Sequence, residues 1–474
     1  MPMSVPSLST PMSTLLRVLA ACFGLAAATA THAQTAGAVS TVFAFNGSSP
    51  GSYVIVGPGG NYYGTSIANT VVSGGTVFST SPDGRTVRTL HQFIVDEGYG
   101  PRSGLLMPGD GYFYGTTRFG SPNIANSSGT VFRIREGGTG FEILHRFANW
   151  EAVNVNGAPA NRQGVYPESP LILGSDDFLY GVTRTGGEAG TGAIFRIRRD
   201  GSEFAAIHEF GPVLTEVNEL PELNADGIGP NGRLLEMPDG YLYGAAAAGG
   251  EHGRGTLFRI RLDGTGFETI FQFEALPDSS PFVNDSGSAP FVGLINGPNG
   301  FMYGVASSGG AEGVGTLFSV DAQTLEYAVR HDFDFPEGGS PAGELLIGRD
   351  GRLYGTTGNG GKDSSGNTVS RGTIYSVEPD GSDFQSLHTF TGDDGYGPAG
   401  GLIQVDDTTF VGIATTGGKC NQGTVFQFST TGQTIDGNKT CGQKKKNKSG
   451  GGAGGAGVVL LLLALAASRR RIGA

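Results

Sequence analysis

Five histidines of this 474-residue chain recur in one short pattern, each two residues before a phenylalanine. They are His91, His145, His208, His331 and His388. A ring of imidazoles could bind a transition metal. In two further copies of the pattern, however, Phe43 and Phe271 replace the histidine. Because a position that accepts phenylalanine serves packing, we interpret this row as structural and expect no metal ring from it.

Acidic turns offer a second place for a metal. Three near-copies begin at Asp96, Asp226 and Asp393 and continue through glycine to proline. Carboxylates and backbone carbonyls in a tight turn are ligands that Ca²⁺ accepts. The alternating Asp ladder of an EF-hand loop is missing, and solvated Asp-Gly turns are common. These segments are therefore either solvated turns or, as the alternative, calcium sites, and no other cofactor is expected.

Two cysteines remain once the N-terminal segment is set aside, Cys420 and Cys441. In an oxidising compartment such a pair is expected to form a disulfide. The bridge would enclose 20 residues, and a loop of that size adds about 3 kcal/mol to stability. A metal or redox pair is the alternative, but neither a Cys-x-x-Cys spacing nor a nearby histidine supports it.

The surrounding chain is a tandem repeat built on a Tyr-Gly step. The step recurs every 51 to 66 residues, at Tyr63-Gly64, Tyr114-Gly115, Tyr180-Gly181, Tyr243-Gly244, Tyr303-Gly304 and Tyr354-Gly355, with Val411-Gly412 as a seventh copy. An apolar run and a turn precede each step, and a Gly-Thr-apolar-aromatic segment follows it. Asp-Gly between apolar runs is a preferred hairpin turn. Each copy therefore predicts four antiparallel strands, A to D, which is the size of a propeller blade.

The repeat predicts an all-β fold, a seven-bladed β-propeller over residues 39–432. The seventh copy ends near residue 432 without a fourth strand, whereas residues 39–45 match the D-strand pattern. We expect this N-terminal strand to complete the last blade, because closure removes an edge that would otherwise invite aggregation.

Both ends of the chain are typical of export signals. Residues 1–33 contain Arg17, an apolar run and small residues suited to cleavage, as in a secretory signal peptide. Residues 433–452 form a polar linker rich in lysine and glycine, and residues 453–474 combine small residues, an apolar run and three arginines. The 16 residues 453–468 would span about 24 Å as a helix, less than the ~30 Å hydrocarbon core. The tail is either a short membrane anchor or a signal that is cut.

The charge balance excludes one class of partner. The net charge is −12, and it becomes −16 without Arg17 and the three terminal arginines. An acidic body without a basic stripe is a poor partner for nucleic acid, because phosphate contacts need clustered lysine and arginine. Glycine-rich segments such as 186–192 join strand to strand, so they lack the helix N-terminus of a phosphate loop.

Two resemblances support this reading. The tail resembles the GlyGly-type C-terminal sorting signals of Gram-negative bacteria, which implies cleavage by a rhomboid-type intramembrane protease, at least transient membrane insertion, and secretion or display at the outer surface. The Leu-Tyr-Gly-Thr-Thr and Gly-Thr-(Val/Leu/Ile)-Phe pattern resembles the GloVer-type choice-of-anchor tandem repeat family. That resemblance implies a propeller in an anchored or exported state, and it brings no activity or catalytic residue.

Loop lengths indicate where function would lie. The A–B and C–D turns are short, whereas the B–C and D–A connections vary, and these two sets belong to opposite faces. The longest D–A connections are 148–169, 211–232 and 274–291, and the first holds Trp150, the only tryptophan, near Tyr166. This pair suits stacking on a sugar ring; a tryptophan that only pins its own loop is the alternative.

We therefore expect a binding or adhesion module whose loop-rich face takes a glycan or peptide. The alternative is a secreted hydrolase or lyase with its site at the channel mouth on that face. Such an enzyme would need polar residues that differ from blade to blade at the loop-facing ends of the A strands. A purely structural envelope protein is the third reading.

Overall fold

Seven sheets follow one another along the chain and close into a ring in this computed structural model. It describes residues 37–68, 74–120, 127–150, 152–153, 159–214, 222–277 and 280–437. The predicted all-β, seven-bladed propeller of four-stranded antiparallel blades is confirmed. In blade 2 the innermost strand is reduced to a bridge between Leu106 and Tyr114. Among the described residues, no helix is long and apolar enough to cross a membrane.

The strands have the following bounds in chain order. Blade 7 receives β1 (Ala38–Ala44); blade 1 contains β2 (Ser48–Val56), β3 (Tyr62–Ala68), β4 (Thr76–Thr80) and β5 (Val87–Gln92); blade 2 contains β6 (Tyr112–Thr117), β7 (Thr130–Arg135) and β8 (Glu142–Arg146). The next connection contains β9 (Ala152–Val153) and β10 (Pro159–Val165); blade 3 contains β11 (Ile172–Leu173), β12 (Phe178–Thr183), β14 (Ala193–Arg198) and β15 (Ala205–Glu209), with β13 (Thr185–Gly187) between its second and third strands.

The remaining bounds complete the ring. Blade 4 contains β16 (Ile228–Glu236), β17 (Tyr241–Ala248), β18 (Thr256–Arg261) and β19 (Glu268–Gln272); blade 5 contains β20 (Ile295–Asn296), β21 (Phe301–Ala306), β22 (Thr316–Asp321) and β23 (Tyr327–Asp332). Blade 6 contains β24 (Gly339–Pro341), β25 (Leu346–Ile347), β26 (Leu353–Asn359), β27 (Thr373–Val377) and β28 (Gln385–Thr389); blade 7 contains β29 (Tyr396–Pro398), β30 (Ile403–Gln404), β31 (Thr409–Thr416) and β32 (Thr424–Ser429). Single 3₁₀ turns at Pro58–Gly60 and Pro298–Gly300 connect A to B in blades 1 and 5.

The Tyr-Gly step has a packing reason inside each blade. Its glycine lies directly opposite the aromatic residue of the third strand, as Gly244 does with Phe258. The aromatic ring covers the glycine, and a Cβ added at any of the seven glycines would come within 2.5–3.0 Å of the ring's Cζ. The tyrosine binds the turn before it, because the Tyr243 hydroxyl donates to Asp239 at 2.6 Å.

A glycine–proline contact joins each blade to the next. The glycine that opens each third strand has a φ between +87° and +118°, a region that favours glycine. A Cβ there would lie 2.3–2.8 Å from the proline Cδ of the next blade's inner segment. The seven pairs are Gly75–Pro101, Gly129–Pro167, Gly192–Pro230, Gly255–Pro290, Gly315–Pro341, Gly372–Pro398 and Gly423–Pro50. The last pair joins blade 7 to blade 1 and completes the circle.

The N-terminal strand belongs to the last blade. β1 pairs antiparallel with β32, so that Val39 faces Phe428 and Ala44 faces Thr424. Val42 is fully buried in a cluster that also holds Val54 of blade 1. The chain then returns to this strand, because the Ile435 N–H donates to the Ser40 Oγ at 3.1 Å. Part of the segment predicted as a polar linker, 433–437, therefore packs on β1.

The core lies between blades rather than inside them. Each hydrophobic cluster combines strands of two adjacent blades, as when Tyr180 of blade 3 packs with Leu242 and Phe258 of blade 4. A four-stranded sheet with both faces covered in this way depends on its two neighbours for burial.

The histidine row serves this inter-blade packing, as predicted. His91, His145, His208 and His331 each stack on a phenylalanine of the following blade, with ring centroids 3.6–4.3 Å apart. Phe271 fills the same position and stacks on Tyr327 at 3.8 Å. Most of these imidazoles also contact a carboxylate of the next turn, as His388 does with Asp394 at 2.8 Å.

Deletion of residues 39–45 should abolish cooperative folding, because it exposes the edge of β32 and opens a buried cluster. We expect a large fall in the melting temperature or insoluble protein, measured by differential scanning calorimetry. The control lacks only residues 1–33. Melting of the deletion variant within about 2 °C of that control would contradict closure by β1.

His145 should make the fold sensitive to mild acid. Burial lowers the pKa of His145 to about 4, whereas an unfolded chain holds it near ~6.5. When the pH falls below the pKa of His145 in the unfolded state, the unfolded chain binds a proton at His145 but the folded protein does not. The free energy of unfolding therefore decreases as the pH falls from the unfolded-state pKa to the folded-state pKa. This contribution is about 2 kcal/mol at pH 4.5.

The variant His145→Phe should therefore lose less stability than wild type between pH 7 and 4.5 in chemical denaturation. His91→Phe changes the same packing position in another blade but leaves His145 in place. This variant should therefore still show the decrease in stability at low pH that His145 causes in wild type. Equal acid sensitivity of His145→Phe and wild type would show that the imidazole is not responsible.

Candidate functional site

The face that carries the D–A connections, here called the loop face, exposes apolar side chains. Among the described residues, eight large hydrophobic side chains are exposed. Six of them lie in D–A connections: Ile94, Leu214, Phe282, Phe291, Phe335 and Tyr396. These residues come from five different connections, and single exposed hydrophobic side chains are common on protein surfaces, so they do not by themselves identify a site.

The D–A connection 148–169 folds into an extra sheet on this face. Its strand β10 pairs with β9 and also with β13, the B–C connection of blade 3. Val165 lies opposite Thr185 in this pairing, and the next residue, Tyr166, has a φ of +61°. This left-handed conformation is uncommon for an aromatic residue. The sheet holds Tyr166 in place at the boundary between blades 2 and 3.

Trp150 lies near the Tyr166 hydroxyl. Both side chains are half-buried. Burial raises the pKa of the Tyr166 hydroxyl, while Arg118 and the nearby Trp150 indole act to lower it. The indole Nε1 is buried and has no hydrogen bond of standard geometry within the described residues. Their role in ligand binding stays a prediction.

Two further rings extend this pair into a patch. Tyr99 and Phe119 stack with centroids 4.6 Å apart, and Phe119 meets the edge of Tyr166 at 5.3 Å. We call Tyr99, Phe119, Trp150 and Tyr166 the aromatic patch. The Arg118 guanidinium lies 5.0 Å from the centroid of Phe119 and 4.9 Å from that of Tyr166. The patch thus joins aromatic surface to a positive charge.

Arg118 also belongs to a group of charges around Glu168, which we call the arginine cluster. The Glu168 carboxylate lies 3.0 Å from Arg118, 3.7 Å from Arg102 and 3.8 Å from Arg184. The Glu168 side chain is only 12% exposed, whereas Arg102 and Arg184 are 47% and 51% exposed. Three guanidinium groups therefore surround one carboxylate beside the channel mouth.

The arginine cluster occupies positions that the repeat leaves free. The residue after the inner proline is Gly51, Arg102, Glu168, Asn231, Phe291, Ala342 or Ala399 in blades 1 to 7. The residue after the second-strand Thr-Thr position is arginine in blades 2 and 3 only; the seven are Ile67, Arg118, Arg184, Ala247, Ser307, Gly358 and Thr415. The ring is thus polar on one side of the mouth and mostly apolar on the other.

Sequence reasoning missed the arginine cluster, although it stated the test that finds it. Polar residues that differ from blade to blade at the loop-facing ends of the A strands were expected only for an enzyme. Arg102, Glu168 and Asn231 meet that description, and the Ser169 Oγ donates to Asn231 Oδ1 at 3.3 Å. A comparison of equivalent positions across the seven copies was the available signal.

The acidic turns do not converge on a metal. Asp226 accepts hydrogen bonds from the Gly211 N–H at 2.9–3.0 Å and lies 3.3 Å from His208, so its oxygens bind its own blade. Asp96 and Asp393 lie at other blade boundaries, where their neighbours Glu97 and Asp394 contact a histidine. No group of three or more metal-ligating side chains occurs in the part of the chain that the structure describes.

Three other sequence predictions fall partly or wholly outside the described residues. The Cys420–Cys441 bridge stays a prediction, because Cys441 lies outside the described residues. The signal peptide at 1–33 and the tail at 453–474 also lie outside.

A cavity of about 450 Å³ occupies the opposite, short-turn end of the channel. Apolar residues such as Ile55 and Ile347 line it, together with Tyr53, Arg233 and Glu344. Arg233 and Glu344 lie 3.7 Å apart. Burial raises the pKa of Glu344, which Arg233 acts to lower. A buried carboxylate with its own arginine is a structural arrangement, and we assign it no ligand.

Glu168→Gln should destabilise the protein, because it leaves three neighbouring guanidinium groups without a counter-charge. The cost should be about 1–2 kcal/mol, since two of the three are half-exposed to water. Chemical denaturation measures it. The matched control is Glu188→Gln, whose pair with Arg162 is about three-quarters exposed and should contribute less than about 0.5 kcal/mol. Equal stabilities of the two variants would show that the cluster is not coupled.

Comparison with solved structures finds partial similarity at low sequence identity. The extracellular domain of a protein described as a one component system from B. thetaiotaomicron has a TM-score of 0.48 and 12% identity over 83% of this chain; the chain spans 40% of that relative's length. An oligogalacturonate lyase in complex with manganese has a TM-score of 0.48 and 13% identity over 83% of this chain and 96% of its own. A puromycin-hydrolysing peptidase from Mycobacterium tuberculosis has 0.45 and 15%, over 78% and 52%. Such similarities concern the fold alone.

The sequence comparison identifies the repeat. The comparison with curated proteins finds no match. The model of the Gloeobacter/Verrucomicrobia repeat matches three stretches, residues 24–160, 151–284 and 279–452. These stretches include every blade of the ring, in agreement with the resemblance drawn from the Tyr-Gly pattern. The chain therefore belongs to the Gloeobacter/Verrucomicrobia repeat family.

Proposed function

We propose that this protein is an exported binding module that holds a glycan or peptide on its loop face, at the boundary of blades 2 and 3. One observation carries the proposal: the aromatic patch and the arginine cluster meet where the ring departs from its repeat. Elsewhere the same positions hold small or apolar residues such as Ala342 and Ala399. Departures from a repeat on a rigid scaffold are where binding residues are found.

Saccharide is the better fit of the two ligands. Half-exposed aromatic rings offer flat apolar surface for the C–H face of a sugar, and the tyrosine hydroxyls can bond its oxygens. Tyr166 is held by the β10–β13 pairing, so its ring is positioned before a ligand arrives. A site ordered in advance loses less entropy on binding.

Catalysis on the same face is the second candidate, a secreted hydrolase or lyase. The observation that favours it is the unrepeated polar set at the channel mouth, Arg102, Glu168 and Asn231. A binding module and an enzyme differ in a direct readout. Release of reducing ends or of new amines by purified protein from a bound ligand would favour the enzyme.

Export is part of the proposal and is supported by the two terminal signals. The predicted signal peptide would direct secretion, and the GlyGly-type tail would be cut by a rhomboid-type protease or kept as a short anchor. Intact-mass spectrometry of the protein from the membrane and from the culture medium distinguishes the two fates. A form that retains residues 453–474 in the medium would contradict processing by cleavage.

Trp150→Ala should reduce glycan binding at least tenfold, because one stacking ring is lost. Binding to an immobilised panel of glycans and peptides measures the effect. The matched control is Tyr241→Ala on the short-turn face, where Tyr241 also packs against two arginines, Arg259 and Arg261, at 4.6 and 5.0 Å. Unchanged binding of Trp150→Ala, or equal loss in both variants, would contradict a ligand site at the patch.

A further inference from the structure

We infer that the ligand is an acidic saccharide, and that Arg102, Arg118 and Arg184 bind its carboxylate or sulfate groups. This inference rests on the proposed function and names the chemical class of its ligand. It depends on charge, on an unused hydrogen-bond donor and on the position of the arginine cluster beside the aromatic patch.

The arginine cluster carries a surplus of positive charge. Three guanidinium groups face a single carboxylate, Glu168, which leaves two positive charges unbalanced within the cluster. The body of the chain is otherwise acidic, with a net charge of −16 once the two terminal signals are removed. A local positive site on an acidic protein attracts anions to that point and repels them elsewhere.

Other arginines of the chain are paired tightly with one or two acids. Arg259 lies 2.6 Å from Glu268, Arg133 lies 2.7 Å from Glu142, and Arg352 contacts Glu378 at 2.6 Å. In contrast, Arg102 and Arg184 lie 3.7 and 3.8 Å from Glu168, longer than a charge-assisted hydrogen bond. The Arg233–Glu344 pair has a similar separation of 3.7 Å, but only one arginine contacts that carboxylate, whereas three surround Glu168.

One hydrogen-bond donor in the cluster is unused. Within the described residues, the Arg118 Nε is a buried donor without a hydrogen-bond partner. Guanidinium groups bind carboxylate and sulfate through two parallel N–H donors. An anion that enters between Arg102 and Arg184 would therefore supply acceptors that Glu168 alone does not.

Repulsion within the cluster also favours an added anion. Burial lowers the pKa of Arg102, and although Glu168 acts to raise it, Arg118 and Arg184 lower it further. The charged forms of the three arginines thus oppose one another at close range. A ligand with negative charge relieves this repulsion, whereas a neutral ligand does not.

The aromatic patch explains why the anion would belong to a sugar. Arg118 lies against both Phe119 and Tyr166 while it contacts Glu168. A pyranose ring stacked on the patch would therefore place a C6 carboxylate or a sulfate ester within reach of the cluster. A free anion would use the cluster alone and leave the patch unused.

Calorimetric titration with matched polymers tests the inference. Polygalacturonate provides the carboxylate, its fully methyl-esterified form provides the same chain without charge, and dextran sulfate with neutral dextran provides the sulfate pair. We expect the acidic member of at least one pair to bind ten times more tightly than its neutral partner at 0.1 M salt, about 1.4 kcal/mol. The pair that shows the difference identifies the acidic group.

Substitutions then locate the binding. Arg102→Gln and Arg184→Gln should each weaken acidic-polymer binding about fivefold and reduce its salt dependence, with little change in melting temperature. The matched control is Arg349→Gln, an exposed arginine on a short turn that pairs with Asp407 at 2.9 Å and should bind as wild type. Equal effects of all three substitutions would overturn the assignment to the cluster.

The outcomes separate this inference from the proposed function. Equal binding of acidic and neutral polymers, with loss in Trp150→Ala, would overturn the acidic class and keep the binding module. Absence of binding to every glycan and peptide tested would overturn both. Acidic preference that disappears in Arg102→Gln and Arg184→Gln, and persists in Arg349→Gln, is the expected result.

Discussion

The contact between a glycine of one blade and a proline of the next determines the geometry of the ring. Each such glycine has a positive φ and no room for a Cβ, so its backbone packs directly against the proline side chain of the next blade. Seven repetitions of one distance bring the last blade back to the first, where Gly423 meets Pro50. The hydrophobic clusters that stabilise the fold form only at these junctions. No blade is complete without its neighbours.

Because contacts between blades stabilise the ring, the residues at the loop-face ends of the strands are free to vary. The position after the second-strand Thr-Thr is Arg118 in one blade and Gly358 in another, yet both blades have the same strand pairing. The side chain at this position therefore changes without altering the strand pairing of the blade. The arginine cluster uses this position in blades 2 and 3, for Arg118 and Arg184, and the position after the inner proline for Arg102 and Glu168.

Much of the fold could be predicted, because a propeller repeats its local chemistry. The Tyr-Gly step, the Gly-Thr strand and the Phe43 and Phe271 replacements in the histidine row each report on one blade, and each appears in several copies. The side chain that contacts each histidine was harder to predict from the sequence. His208 contacts Asp226, and the turn that holds this carboxylate was considered for calcium because its sequence does not show the imidazole beside it.

The candidate site was harder to predict for the same reason. Arg102, Arg118 and Arg184 are far apart in the chain, and the packing of blade 2 against blade 3 brings them to Glu168. A sequence repeat identifies the residues that recur in every blade, whereas the residues of the candidate site differ between blades. The extra sheet of β9, β10 and β13 shows the same limit, because it pairs the long D–A connection before blade 3 with the B–C connection of that blade.

Residue 37, where the described chain starts, and residue 437, where it ends, both lie along β1, the outermost strand of blade 7. Both ends of the described chain therefore lie side by side at the outer rim of the propeller. The patch between blades 2 and 3 belongs to other blades, so neither end of the described chain lies beside it.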